Sequence, residues 1–359
     1  MEVSPAAKSV VYRLNPLADP RWEEFLRGHP RATVFHSTPW IEALCRSYGY
    51  EPAVLTTSPP DAPLRNGLAV CRIDSRLTGR RLVSLPFSDH CEPLLDENAD
   101  WRAVFSSLDQ ELRRRKLRYV EIRPVGDIDR SLTPSSSTHA YCLHQLDLTP
   151  PLDALFQRFH KSSIQRKIHR AGKEQLHYEE GRTDPLLEAF YNLLLITRRR
   201  HELPPQPRIW FRNLIDSFKD TLKIRVALKE KTPIAAILTL RFKDTLVYKY
   251  GGSAAQYHNL GGMHLLFWKT IQEGKRAGLH TFDFGRSDYD NEGLITFKDR
   301  WGATRSTLNY FRITNAPQSN QKFIPTGADW KGRIATRVLS RLQPRMTEVF
   351  ADWIYKHIG

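Results

Sequence analysis

The chain has 359 residues, long enough for about two domains of roughly 150 residues, each with its own core. Hydrophobic residues make up 40% and aromatic residues 11%, which excludes a disordered chain. Lys and Arg number 54 against 39 Asp and Glu, and the net charge of +15 predicts a surface that attracts polyanions such as RNA, nucleotides or an anionic membrane. A solvated basic face without a partner is the alternative.

The spacing of the cysteines and histidines indicates neither a metal site nor a disulfide framework. The four cysteines include no C-x-x-C pair, and the histidines include no H-E-x-x-H motif. No apolar run approaches the roughly 18 residues of a membrane-spanning helix, and the start lacks a basic segment followed by an apolar one. These observations predict a cytoplasmic protein in a reducing compartment, with no bound metal.

The first part of the chain combines helical and β-type patterns. Apolar spacing predicts helices at residues 23–26, 40–48 and 101–115, and strands at 52–57, 67–73, 81–86 and 119–122. Residues 127–138 are rich in Ser, Asp, Thr and Pro and predict a linker or an exposed loop. We therefore expect a first domain over residues 1–138.

The second part repeats this order of elements. The pattern predicts a strand at 141–148, helical segments at 152–173 and 185–201, strands at 222–228, 234–242 and 246–250, a helix at 262–277 and a strand at 281–284. The short turns between the three middle strands favour an antiparallel meander. We therefore expect a second domain over residues 139–316.

The tail at residues 317–359 has basic and apolar residues at helical spacing. Such a helix lies on an anionic membrane or packs against a neighbouring domain. We expect packing against the second domain, with peripheral contact at the inner face of a membrane as the alternative.

Two segments, residues 111–122 and 273–284, align without a gap. Each has a basic helix end, then Leu117 or Leu279, and then a short strand that contains Glu121 or Asp283. The same order of elements precedes both segments, which favours two related domains over a chance match. The predicted fold class is α/β, with mixed α+β sheets in two domains.

Several segments resemble the Fem family of acyl and aminoacyl transferases. They are residues 35–40 (FHSTPW), the basic helix at 156–173, residues 282–288 (FDFGRSD) and residues 295–302 (ITFKDRWG). The resemblance covers about residues 35–312. It implies two fused domains of the GNAT fold, and transfer of an acyl or aminoacyl group to an amine or a hydroxyl.

The sequence departs from the Fem pattern in two places. The coiled-coil arm of some members is absent, because residues 152–181 contain no sustained heptad pattern. The segment Leu260-Gly261-Gly262 matches only part of the glycine-containing coenzyme A loop of GNAT enzymes. The donor therefore stays open between an acyl-coenzyme A and an aminoacyl-tRNA.

Lys298 is the predicted positive group of the active site. Acyl transfer needs a cation where the tetrahedral oxyanion or the leaving oxygen develops charge. Lys298 follows Phe297, and the resemblance implies that this lysine lies at the acceptor end of the donor, with Phe297 in the binding site. A solvent-exposed lysine at a helix start is the alternative.

Asp283, Arg286 and Asp288 come at the end of the last predicted strand. Side chains at the carboxyl end of a strand in an open α/β sheet face a crevice where ligands bind. A carboxylate there accepts or orients the proton of an attacking amine, so we predict catalytic roles for Asp283 and Asp288 and a binding role for Arg286. The alternatives are a loop cap or an ion pair for Asp283, and a polar turn at residues 288–291.

Two further groups predict phosphate contacts. Gly261 and Gly262 precede a helix whose free N–H groups can face an anion, and Arg166 and Arg170 fall on one face of the basic helix. A plain turn and a solvated helix face are the alternatives. Tyr250 is predicted to line the same crevice, unless it belongs to an ordinary strand face.

The sequence thus predicts a Fem-type transferase without a bound cofactor. Its co-substrate would be an acyl-coenzyme A or an aminoacyl-tRNA, and its acceptor an amine or hydroxyl of a cell-envelope precursor, such as one of peptidoglycan, or of an exopolysaccharide. One alternative is an acetyl-coenzyme A-dependent N-acetyltransferase that acts on a small molecule or a sugar. Another is a non-catalytic RNA-binding protein, which the charge of +15 supports.

Overall fold

A computed structural model describes residues 10–126, 128, 136–315 and 353–357. The described residues form two compact units, the first within Met1–Ala140, Leu308–Thr326 and Tyr355–Gly359, and the second within Tyr141–Thr307 and Gly327–Ile354. Most of the linker predicted at residues 127–138 lies outside the described residues, namely residues 127 and 129–135. Of the tail predicted at residues 317–359, only residues 353–357 are described. The predicted domain limits stay predictions, and the structure places residues 308–313 in the first unit.

The first unit is a mixed sheet with helices packed on it. Its elements are β1 (Tyr12–Leu14), α1 (Pro20–Gly28), α2 (Thr38–Tyr48), β2 (Glu51–Thr56), β3 (Leu68–Ser75), β4 (Gly79–Val83), α3 (Asn98–Arg114), β5 (Tyr119–Ile122) and, from a later part of the chain, residues 308–313 of β12 (Thr304–Ile313). The strand order is β1-β2-β3-β4-β5-β12. Neighbours are antiparallel except the parallel pair β4 and β5.

The helix limits in the first unit follow from local sequence. α1 begins after Asp19, whose carboxylate accepts the N–H of Arg21, and α2 begins after Ser37 and ends at Gly49, which has a left-handed φ of 70°. The apolar face of α3, which includes Leu108, packs into a core shared with β2 to β5. The predicted helices and strands of this part are present, and β1 was not predicted.

The second unit has the same pattern of strand directions. Its elements are β6 (Ser136–Asp147), α4 (Leu152–Arg158), α5 (Arg166–Lys173), β7 (His177–Gly181), α6 (Asp184–Arg200), α7 (Arg208–Phe218), β8 (Leu222–Lys229), β9 (Thr232–Phe242), β10 (Thr245–Ser253), α8 (Gly262–Arg276), β11 (Thr281–Asp288) and α9 (Glu292–Asp299). The strand order is β7-β8-β9-β10-β11-β6, antiparallel except for the parallel pair β10 and β11.

The helical region predicted at 152–173 is present but is interrupted. α4 ends at Phe159, whose backbone is extended, and a single π-helical turn, Lys161–Gln165, precedes α5. Phe159 packs its ring 5.0 Å from that of Trp301, and the N–H of His160 donates to the carbonyl of Arg300. This long-range packing breaks a helix that local spacing favours.

The repeated sequence segments occupy equivalent places in the two units. In the first, α3 leads into β5, which pairs in parallel with β4. In the second, α8 leads into β11, which pairs in parallel with β10. The prediction of an α/β fold with mixed sheets in two related units is confirmed.

Candidate active site between β10 and β11

The paired strands β10 and β11 part at their carboxyl ends. Parallel pairing joins residues 245–247 to residues 281–283. Beyond that point β10 shifts its register against β9 between Tyr248 and Tyr250, and β11 shifts against β6 between Asp283 and Arg286. An extra residue bends a strand and increases its twist. The two irregularities therefore open a gap at the sheet edge where ligands of open α/β sheets bind. We call it the strand gap.

Lys298 fixes the bend of β11 at this gap. The side chain lies in the last turn of α9 and is only 2% exposed. Its Nζ donates to the carbonyl oxygens of Gly285 at 2.7 Å and Arg286 at 3.1 Å. Gly285 has a φ of 71°, a left-handed conformation that glycine adopts without strain. The alternative of a solvent-exposed lysine at a helix start is wrong, because the ammonium is a buried positive charge beside the gap.

Asp283 supports the same bend from the other side. Its carboxylate accepts the N–H of Gly285 at 2.6 Å and an N–H of the Gln145 amide at 3.4 Å. The residue is 2% exposed. This geometry fits the loop-capping alternative, and a catalytic role for Asp283 stays a prediction.

Arg286 and Asp288 follow the bend. The guanidinium of Arg286 lies over the ring of Tyr141, 4.1 Å from its centroid. Asp288 is exposed, and its carbonyl accepts the N–H of Asn291 at 3.0 Å. Residues 288–291 therefore form the polar turn considered above, at the exposed end of β11. The role of Asp288 as a base also stays a prediction.

The two glycines at the start of α8 are required by packing. A Cβ on Gly261 would lie 2.3 Å from the carbonyl oxygen of Lys167, and one on Gly262 would lie 3.1 Å from the side chain of Ile234. Gly261 also has a φ of 84°. Within the described residues no side chain caps this helix end. Its first N–H groups therefore keep the electrostatic preference of a helix start for an anion.

The predicted cationic stripe lies on the helix that packs against this start. Arg166 and Arg170 are exposed on α5, and Arg170 pairs with Glu174 at 2.5 Å. Ile168 and Ala171 are buried on the other face, as the spacing predicts. Because the backbone of Lys167 lies against Gly261, the structure places the helix that carries Arg166 and Arg170 next to the start of α8.

Aromatic side chains surround the strand gap. The Phe297 ring lies 5.7 Å from that of Phe267, which also packs 4.9 Å from Tyr248. Tyr250 is 6% exposed, and its hydroxyl accepts the indole N–H of Trp210 at 3.0 Å. Trp210 belongs to α7, a helix that the sequence analysis did not predict, so this hydrogen bond of Tyr250 was not expected. Phe297 therefore faces the aromatic core at the gap, whereas Tyr250 is anchored to α7.

Sequence reasoning missed a polar network next to Lys298. His144 Nε2 lies 3.1 Å from a carboxylate oxygen of Asp299, and Arg305 binds the same carboxylate at 2.6 Å. Burial lowers the pKa of His144, and the hydrogen bond from Arg305 lowers the pKa of Asp299. Because Asp299 follows Lys298 directly, this network fixes the end of α9.

His264 was also missed. It lies in the first turn of α8, 5.6 Å from the Phe297 ring and stacked on Trp301 at 6.1 Å. Burial lowers the pKa of His264 to about 4, so the imidazole is neutral at pH 7 and is a weak base there. A histidine two residues after the paired glycines was the available signal.

Metal and membrane features were searched across the part of the chain that the structure describes. There, no group of His, Cys, Asp or Glu side chains is arranged to hold a metal ion. Nor is any described helix long and apolar enough to cross a bilayer.

Comparison with known proteins defines the class. Residues 158–298 match the family model described as an acetyltransferase (GNAT) domain. The structure is similar to FemX, with a TM-score of 0.63 at 14% identity over 81% of this chain and 95% of that one. It is also similar to a tandem GNAT protein from the clavulanic acid biosynthesis pathway, with a TM-score of 0.54 at 10% identity over 86% and 99%. No curated protein matches the sequence.

The matched segment contains α5, β10, α8, β11 and Lys298, whereas His144, Asp299 and Arg305 of the adjoining polar network lie outside it. A further similar structure, L-PGS from Bacillus licheniformis, has a TM-score of 0.51 at 12% identity over 76% of this chain and 86% of that one. At such identities these likenesses show the fold, which is that of two GNAT-like units. Residues 158–298 match the model of a GNAT acetyltransferase domain, and the prediction of an acyltransferase is confirmed.

Proposed function

We propose that the protein is a Fem-type transferase. It moves an acyl or aminoacyl group from an acyl-coenzyme A or an aminoacyl-tRNA to an amine or hydroxyl of a cell-envelope precursor or an exopolysaccharide. The strand gap carries this proposal, because it lies inside the matched GNAT segment and has the buried charge of Lys298 beside it. The similarity of the fold to that of FemX fits the choice of a Fem-type enzyme.

The chemistry needs one bond to form and one to break. The acceptor nitrogen or oxygen attacks the carbonyl carbon of the donor, and the thioester C–S bond or the ester C–O bond then breaks. Negative charge develops on the carbonyl oxygen and on the leaving atom, where a fixed positive group stabilises it. Lys298 supplies that charge, and the acceptor proton passes to a base, for which the carboxylate of Asp288 is the candidate.

The donor phosphates would lie where α5 meets the start of α8. There the uncapped N–H groups of α8 and the exposed Arg166 and Arg170 present positive charge to one region. Coenzyme A and tRNA both carry phosphates that suit these groups. The net charge of +15 favours either polyanion, and it also favours the predicted peripheral contact of the tail with an anionic membrane.

A second candidate is a plain acetyl-coenzyme A-dependent N-acetyltransferase that acts on a small molecule or a sugar. The description of the matched family as an acetyltransferase favours it. The two candidates share the strand gap and differ in the donor.

The test compares donors directly. Thermal stability is measured with acetyl-coenzyme A and with charged and uncharged tRNA, at low and moderate salt, since a ligand of the folded state raises the melting temperature. Selective stabilisation by charged tRNA supports aminoacyl transfer. Stabilisation by acetyl-coenzyme A that survives salt supports the second candidate, and no stabilisation by either argues against both.

A pair of variants tests the phosphate region. Arg166→Ala/Arg170→Ala should weaken the preferred donor at least tenfold and, for tRNA, reduce the slope of log K against log salt by about one per arginine. The control, Arg46→Ala/Arg102→Ala, removes two exposed arginines of the first unit and the same charge. Equal behaviour of the two variants would refute the phosphate assignment.

A further inference from the structure

A charged cavity lies beside the C-terminal half of α8. Its volume is about 440 Å³, and its lining includes Tyr178, Glu180, Lys223, Lys269, Glu273 and Arg276. A smaller cavity of about 130 Å³ adjoins it and shares Lys223 and Glu273. At 1.5 Å per residue, Lys269 and Arg276 lie about 10 to 20 Å along α8 from Gly262. The cavity is therefore separate from the phosphate region proposed above.

The carboxylates of this cavity already have cationic or hydroxyl partners. Glu273 binds Lys223 at 2.7 Å and the guanidinium of Arg225 at 2.6 Å. Glu180 binds Lys223 at 2.9 Å and accepts the hydroxyl proton of Tyr178 at 2.5 Å. Burial raises the pKa of the Tyr178 hydroxyl, so the phenol stays protonated. Both acidic groups are thus neutralised from within.

Positive charge and donor capacity are left over. Four cationic side chains line the two cavities beside two glutamates, which leaves an excess positive charge of two; the cations are Lys223, Arg225, Lys269 and Arg276, and the glutamates are Glu180 and Glu273. Arg241 and Asp220 of the smaller cavity add no net charge. Arg225 lines the smaller cavity and is 1% exposed, and its guanidinium is paired with Glu273 at 2.6 Å and, through Nε, with Glu180 at 3.6 Å. The excess positive charge of the larger cavity is therefore that of the exposed Lys269 and Arg276.

We propose that this cavity binds a small organic anion through phosphate or carboxylate oxygens. Lys269 and Arg276 are exposed on the same stripe of α8 and provide the outer donors, while Arg225 provides positive charge at the inner end. The ring of Tyr178 and the side chain of Ala277 offer an apolar surface to the carbon part of the ligand. The proposal does not depend on the acyl-transfer reaction, since none of these residues belongs to the strand gap.

Pyrophosphate and citrate are the probes, each titrated calorimetrically into the full chain. Lys269→Ala/Arg276→Ala should weaken binding of at least one probe tenfold or more. Both substitutions are at exposed positions, which limits their effect on folding. The control, Lys231→Ala/Arg102→Ala, removes the same two charges outside the cavity and should leave affinity within twofold.

The Arg166→Ala/Arg170→Ala variant separates this cavity from the phosphate region of the active site. Unchanged affinity in that variant, with loss in Lys269→Ala/Arg276→Ala, supports the proposal. Absence of binding to the wild type overturns it, and so does a loss seen in the Arg166→Ala/Arg170→Ala variant alone, or an equal loss in the control. A preference for pyrophosphate identifies a phosphate ligand, and a preference for citrate identifies a carboxylate.

Discussion

Replacing Lys298 by Met should destabilise the protein by about 3 to 5 kcal/mol. The substitution keeps an unbranched side chain of similar length but removes the donor of two hydrogen bonds, at 2.7 and 3.1 Å, to the carbonyls of Gly285 and Arg286. A hydrogen bond to a charged group contributes about 1.5 to 3 kcal/mol, and the carbonyls would be left without this donor at a position where Lys298 is 2% exposed. Two such hydrogen bonds would contribute about 3 to 6 kcal/mol if they were independent. We take a slightly lower upper value because both bonds start from the same nitrogen, and coupled interactions are not fully additive.

Urea unfolding followed by circular dichroism measures this loss. The control is Lys231→Met, an exposed lysine for which a change within about 0.5 kcal/mol is expected. Turnover of Lys298→Met must be measured below its own unfolding temperature, where a further 10²- to 10³-fold loss of kcat is expected if the ammonium stabilises the transition state. A destabilisation under about 1 kcal/mol would refute the reasoning that this ammonium holds the bend of β11.

Two more predictions follow from packing and burial. Gly252→Ala should lower the free energy of unfolding, measured in urea, by about 1 to 3 kcal/mol, because the new Cβ would lie 2.5 Å from the backbone of Leu193. The control Gly293→Ala adds a Cβ with nothing within 4 Å and should be neutral or stabilising. Equal effects of the two substitutions would contradict the prediction. Burial lowers the pKa of His36 to about 4 in the folded protein, whereas an unfolded chain has a histidine pKa of about 6.5. As the pH falls from 6.5 to 4, the unfolded state therefore binds a proton at His36 that the folded state does not bind, and the free energy of unfolding should fall by about 3 kcal/mol. His36→Gln should remove that share of the pH dependence, and an unchanged slope would exclude His36 as its source.

Local periodicity was sufficient for much of the fold. The meander of β8, β9 and β10 and helices α3, α6 and α8 were predictable because each has a clear apolar spacing and a turn at its end. α7 was missed although Trp210, Phe211 and Leu214 have helical spacing, because the helix follows a segment with three prolines. The break between α4 and α5 at Phe159 was beyond local reasoning, since tertiary packing on Trp301 causes it.

The sequence was sufficient to select several residues of the candidate site but not to predict how they are arranged in space. A Phe-Lys pair marked Lys298, but its burial depends on the bend at Gly285, which arises from strand register rather than from the pair itself. The glycines before α8 suggested an anion site, whereas their immediate cause is the close approach of Lys167. Such contacts join segments that are far apart in sequence, and no periodicity within either segment reports them.

The bend of β11 connects the fold to the proposed reaction. The peptide around Gly285 is held on both sides, with its N–H bound to the Asp283 carboxylate and its carbonyl bound to the Lys298 ammonium. A negative and a positive side chain therefore fix the same kink, and the strand gap is set by hydrogen bonds of the protein itself. The acyl-group donor therefore enters a gap that is already open and spends no binding energy on separating the strands. That binding energy remains available for orienting the carbonyl carbon of the donor toward the acceptor.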